Sequence, residues 1–296
     1  PFTFQAAEPS SFRASSTRYI NSEDTPRILV AVDGSEDGHR AIEYAMSEAE
    51  AAGASLWLVH VAGIEGGGGS ESLAPSRRQA DRGRGERVLA QAIDVVRAGT
   101  FPEARARTQL AFGNPGAILL SLSADAAAVV MGRTSFSGLT HAYVGDTTVQ
   151  VAAGARRPVT VVSAIHSALR DRPIAVAVGL GEASESTLEF AFTAARSRDT
   201  SLIVVHFAGE VLRKEGSSLV AESEVGIEAH LAPLRARYAS TTLSLVTPVG
   251  PPVDALVATS KVAGLLILGR AREGTRLTGS FRGVLAHARC PVLVTG

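Results

Sequence analysis

Two long stretches of this chain can be laid over one another without a gap. Segment 27–63, RILVAVDGSEDGHRAIEYAMSEAEAAGASLWLVHVAG, matches 173–209, PIAVAVGLGEASESTLEFAFTAARSRDTSLIVVHFAG, at a constant offset of 146. His60 falls on His206, and Glu43-Tyr44 on Glu189-Phe190. Further on, Gly113-Asn114-Pro115 matches Gly250-Pro251-Pro252, and Met131-Gly132-Arg133 matches Leu268-Gly269-Arg270. Near the end of each copy, Arg157-Pro158-Val159 matches Cys290-Pro291-Val292. The chain is therefore two copies of one fold, and a pattern that suits one half must also suit the other.

Within a copy, strand-like and helix-like patterns alternate. A β-branched run over 28–32 ends in the turn residues Asp33-Gly34-Ser35. From Glu36, apolar residues recur at helical spacing (Ala41, Ile42, Ala45, Ala49, Ala52), and Gly53 is a natural C-cap. Further strands are predicted over 56–61, 104–112, 127–131 and 158–162, with helices around 88–96, over 115–124 and over 146–154. Strands alternating with helices imply right-handed βαβ units and a parallel sheet, an α/β fold. The expected division is a flexible arm over 1–26, domains over 27–163 and 173–296, and a linker over 164–172.

Composition agrees and narrows the function. Apolar residues make up 45% of the chain but aromatic ones only 5%, which suits Val/Leu-rich strands under Ala-rich helices. The 29 basic and 29 acidic residues cancel, so neither nucleic acid nor an anionic membrane is an expected partner. No apolar run approaches the roughly 18 residues of a membrane span. Cys290 is the only cysteine, which excludes an internal disulfide and a thiolate metal cluster and suits a reducing cytosol; a cytoplasmic location is expected. Glu8, Glu23 and Asp24 speak against a basic targeting peptide in the arm.

Each half resembles the universal stress protein family. The resemblance rests on 29-LVAVDGS-35, on LVHV at 58–61 and on the glycine-bearing stretch 127–162. It implies two tandem doubly wound sheets, each of five parallel strands in the order 3-2-1-4-5 with helices on both faces. The family divides into ATP binders and non-binders, and the binders carry Gly-x2-Gly-x9-Gly-(Ser/Thr) after the fourth strand.

In such a sheet, ligands sit outside the C-terminal strand ends where the strand order reverses, here between strands one and four. Asp33 there can accept hydrogen bonds from a ribose hydroxyl or base amino group, or simply form a strand-to-helix turn with Gly34 and Ser35. Val61 would line a base pocket or pack in the core. Met131 and Gly132 would let a nucleotide approach the backbone, and Arg133 would face phosphate or solvent. Ser135 stands where the pattern wants its second glycine, Gly145 falls on the third, and Asp146 replaces the following Ser or Thr. An Asp at a helix start caps the free N–H groups itself. Its carboxylate about 4 Å from a phosphate oxygen, at an effective dielectric of about 20, would cost about 4 kcal/mol. Thr147 and Thr148 still offer hydroxyls, and Mg²⁺ enters only alongside a nucleotide.

The second half departs differently. Gly179 replaces the acidic residue, and nine residues separate Gly269 from Gly279, against 12 between Gly132 and Gly145. Gly279-Ser280 restores the Gly-Ser pair, in a loop made basic by Arg270, Arg272, Arg276 and Arg282. The G-x-G of 178-VGLGEAS-184 is a poor dinucleotide fingerprint, since Ser184 takes the third position and no acid closes the next strand. His60, His206 and Cys290 read as packed residues, because no partner stands at ligand or triad spacing.

These residues suggest a stress-response protein acting by binding rather than catalysis, with ATP or another adenine nucleotide in the crevice of the first half. Bound nucleotide would order the loop 133–144 and alter a partner surface. One alternative is a nucleotide-independent interaction protein, dimerising through last strands around 158–162 and 291–295 or pairing its own halves. The other is a slow ATPase or nucleotidyl enzyme.

Overall fold

A computed structural model describes residues 25–62, 75–133, 144–163, 170–178, 182–207, 217–270 and 279–295. Most of the arm, most of the linker, Ser135, Gly179, Arg272 and Arg276 lie outside the described residues. The first half runs β1 (Arg27–Ala31), α1 (Glu36–Ala52), β2 (Ser55–Ala62), α2 (Pro75–Ala98), β3 (Ala106–Phe112), α3 (Pro115–Ser123), β4 (Ala128–Gly132), α4 (Asp146–Gly154) and β5 (Val159–Val162). The second half repeats it with β6 (Ile174–Val178), α5 (Glu182–Ser197), β7 (Leu202–His206), α6 (Ser217–Arg237), β8 (Leu243–Val246), α7 (Pro252–Ser260), β9 (Leu265–Gly269), α8 (Gly279–His287) and β10 (Val292–Thr295).

Local chemistry explains the boundaries. Ser35 caps α1 by accepting from the Gly38 N–H at 3.0 Å, and Gly53 ends it in the left-handed conformation, φ 65°. Asn114 caps α3 in the same way, accepting from the Ala117 N–H at 3.0 Å, and Pro115 occupies the first turn. The four-residue strands β5 and β10 are buried along their whole length, as apolar runs covered on both faces must be.

The two halves share one ten-stranded sheet in the order β3-β2-β1-β4-β5-β10-β9-β6-β7-β8. Each half is parallel throughout, and the junction between β5 and β10 is antiparallel, with Thr160 facing Leu293 at its centre. On one face, each half has its own apolar layer: Ile28, Val30, Ile42 and Leu58 in the first, Ile174, Val176, Leu188 and Phe192 in the second. On the other face a single layer crosses the junction, joining Leu29, Val129, Val151 and Val159 to Leu266, Val284, Val292 and Val294. Burial of that shared layer ties the halves together.

The repeat also exposes one strained position. Asp199 lies on Gly53 at the offset of 146 and adopts φ 52°, the left-handed region that costs a side chain roughly 1–2 kcal/mol. Asp199→Gly is expected to raise unfolding stability by about 1 kcal/mol, measured by urea titration of the full chain.

Candidate functional site

The strand order reverses between β1 and β4, and a cleft opens there at their C-terminal ends. It is lined by Val32, Asp33, His60, Val61, Met131, Gly132, Thr147 and Thr148, among others, with a volume of about 130 Å³. That is below the roughly 300–1,000 Å³ of typical ligand pockets, so the described walls take part of a ligand rather than a whole one. Asp33, Val61, Met131, Gly132, Thr147 and Thr148 thus come together, as the strand order implied by the family resemblance leads one to expect.

Asp33 serves the turn and faces the cleft at once. Its Oδ1 accepts from the Ser35 N–H at 2.9 Å, which fixes the carboxylate, and Gly34 beside it takes φ 78°. His60 also lines the cleft. Its Nδ1 lies 2.8 Å from the Val32 carbonyl oxygen, which can only accept, so that nitrogen carries the proton.

Gly132 is small for a reason other than ligand approach. A Cβ there would lie 2.8 Å from the backbone carbon of Asp37 and 3.0 Å from its oxygen. The missing side chain lets the first turn of α1 press onto the end of β4. Gly269 is the counterpart in the second half, where a Cβ would meet Thr187 Oγ1 at 2.8 Å.

Arg133 does not face a phosphate. It is 7% exposed, and its Nη1 donates to the carbonyl of Ala286 in the last turn of α8 at 3.0 Å. Arg270 does the same in reverse, its Nε reaching the Ala152 carbonyl in α4 at 3.3 Å and its Nη2 the Arg157 carbonyl. With Gly145 laid over Gly279, Ala152 falls on Ala286, so the two bonds are reciprocal. The reason is geometric. Antiparallel pairing sets Val292 opposite Val161, so α8 delivers its C-terminal turn to the edge where β4 ends. Carbonyls of a last helical turn have no partner in their own helix, and a guanidinium suits the negative end of the dipole. Burial holds both guanidinium groups below their ordinary pKa.

Asp146 does not cap α4 either. Gly145 is the N-cap, buried and without a side chain to satisfy the first turn; its own N–H donates to the Arg133 carbonyl at 3.1 Å. Thr148 Oγ1 donates to the Gly132 carbonyl at 3.1 Å, which ties the helix start to the strand end. The Asp146 side chain is 80% exposed and pairs with Arg282 of α8. The carboxylate therefore leans toward the second half, and the first-turn N–H groups keep no side-chain acceptor at the cap. Sequence reasoning missed this role of Arg282, because no local pattern couples residues so far apart.

In the second half, Gly269 is exposed and Arg270 belongs to the junction, while Gly279 and Ser280 open α8. Cys290 is fully buried, and burial pushes its thiol up to about 12, the state of an inert packed residue. Among the described residues no group of three or more His, Cys, Asp or Glu could hold a metal ion, and no helix is long and apolar enough to cross a membrane.

Comparison with known proteins agrees with this architecture. The universal stress protein family matches residues 25–163 and again residues 172–296. A universal stress protein of Mycobacterium bovis is 27% identical over 285 residues, covering 90% of this chain and 96% of the relative. One from Mycobacterium tuberculosis is 28% identical over 287 residues, covering 90% and 95%. Among solved structures, a universal stress protein from Archaeoglobus fulgidus superposes with a TM-score of 0.72 at 16% identity, covering 92% of this chain and 97% of its own. A putative universal stress protein from Pseudomonas aeruginosa gives 0.60 at 17% identity over 92% and 94%.

The close approach at Gly132 is directly testable. Gly132→Ala must push α1 off β4 and is expected to destabilise the chain by about 1–3 kcal/mol, read as a lowered urea midpoint with an unchanged slope.

Proposed function

The chain belongs to the universal stress protein family, and from that premise we propose that it is a stress-response protein that binds an adenine nucleotide in the β1/β4 cleft of its first half. The observation that carries this reading is the pairing of Asp33 with the start of α4 across one cleft. Asp33 presents a fixed carboxylate for a ribose hydroxyl or a base amino group. Opposite it, Gly145 brings bare backbone to the helix N-terminus, where free N–H groups and the positive end of the dipole favour a phosphate. Thr147 lines the same wall. The polar tips sit around an apolar floor of Val61 and Met131, which suits a purine face.

The Asp146 carboxylate is the feature that argues against phosphate. Its lean toward Arg282 offsets much of the repulsion, because an exposed charge with a cationic partner is screened. We assign no catalytic step: the cleft holds carboxylate, hydroxyl and backbone donors suited to binding. The rival reading, an interaction protein that needs no nucleotide, draws on the small volume of the cleft.

The deciding measurement is the nucleotide content of the full chain purified without added nucleotide, followed by titration calorimetry with ATP and AMP. Adenine nucleotide is expected in the protein fraction. Asp33→Asn, which keeps the turn acceptor and removes the charge, is expected to weaken binding about tenfold. Asp146→Ser is expected to bind at least as tightly as the parent. Absence of any bound or titratable nucleotide would leave the interaction protein as the better reading.

A further inference from the structure

The two halves meet about an approximate twofold, yet one face of that junction is not symmetric. Glu48 of α1 is fully buried there, and its Oε1 accepts from Nη2 of Arg198 at 2.7 Å and from Nη2 of Arg170 at 3.0 Å. Arg198 follows α5, has an 8% exposed side chain, and also donates to Tyr44 Oη at 3.3 Å. Glu48 Oε2 is buried with no hydrogen-bond partner among the described residues. Burial first, then the neighbouring Glu48 carboxylate, hold the Tyr44 phenol above its ordinary pKa, so it stays neutral. A carboxylate and a guanidinium have thus been taken out of water at this contact, with the half-exposed Arg170 guanidinium at its margin.

The repeat shows how unusual this is. At the offset of 146, Tyr44 lies on Phe190, Glu48 on Ala194 and Ala52 on Arg198. The symmetry mate of the Glu48–Arg198 pair is therefore Ala194 with Ala52, which carries no polar group. The strands at the junction do not share this asymmetry. With Pro158 laid over Pro291, Thr160 falls on Leu293, the residue it faces at the centre of the β5–β10 ladder. Backbone register alone would let β5 pair with β5 of a second copy as readily as with β10.

We propose that Glu48 and Arg198 form a pairing code, which makes the junction face of the first half accept the second half of the chain and reject a second copy of itself. Two first halves paired in the same way would bury two Glu48 carboxylates, each opposite an Ala52 and left with the half-exposed Arg170 as its one cation. Two second halves would bury two Arg198 guanidiniums, each opposite an Ala194. Stranding one member of a buried ion pair is strongly unfavourable, whereas replacing both members by apolar residues is often neutral or stabilising. The pair accordingly contributes choice of partner more than stability.

The test uses the full chain carrying Thr160→Cys and Cys290→Ser. A cysteine at position 160 faces its own copy only when two first halves pair, so a covalent dimer on a non-reducing gel reports that arrangement. Unfolded and refolded at high concentration, then oxidised, this parent is expected to run as a monomer. Adding Glu48→Ala with Arg198→Ala is expected to raise the covalent dimer at least about tenfold, with the melting midpoint little changed. Arg198→Ala alone is expected to melt lower than that double variant. If the alanine pair fails to refold, Glu48→Leu with Arg198→Leu restores buried volume and carries the same expectations. Equal dimer yield in the parent and the double variant overturns the proposal. So does a double variant that melts as low as Arg198→Ala alone, which would make the pair a stabilising contact and nothing more.

Discussion

The antiparallel pairing of β5 with β10 is the contact on which the rest of the molecule depends. Each half on its own would present a short, Val-rich strand with a row of unpaired backbone groups, an edge open to association. Pairing the edges satisfies both rows and closes one apolar layer over the junction, from Leu29 and Val151 to Val284 and Val294. It also turns the second half over relative to the first. Each fourth strand then ends against the last helical turn of the other half, and this alone explains why Arg133 and Arg270 reach Ala286 and Ala152. A guanidinium that would otherwise sit at the mouth of a crevice becomes a strut between domains.

The cleft takes its shape from the same arrangement. Gly132 lets α1 close onto β4, and the Gly145 N–H and Thr148 hydroxyl tie the start of α4 to the end of that strand. The helix N-terminus is thereby held beside Asp33 with no side chain at its cap. Whether Asp146 blocks that terminus depends on where its carboxylate points, and Arg282 of the other half settles this by drawing it outward. A residue that departs from the binding pattern of the family is thus tempered by a partner more than a hundred positions away in the chain.

The two halves repeat one backbone and differ at a few side chains that break its symmetry. Asp199 stands where the first half has Gly53 and takes the same left-handed backbone at some cost in strain. Glu48 and Arg198 stand opposite each other where their repeat mates are both alanine. A buried charge pair is a poor source of stability, but it discriminates well between partners that otherwise offer the same register.

Much of this was legible in the sequence. The constant offset of 146 determined two copies of one fold, and the alternation of period-2 and helical runs determined their strands and helices. Local turn chemistry at Asp33, Ser35 and Gly53 determined where the first helix begins and ends, since each involves groups within a few residues of one another. The crevice residues Asp33, Val61, Gly132 and Thr148 were readable for the same reason: strand ends bring them together once the strand order is known. Tertiary structure alone decided what Arg133, Arg270, Asp146, Glu48 and Arg198 do. Their partners lie across the junction, and periodicity carries no information about which charge will meet which when two copies of a fold pack face to face.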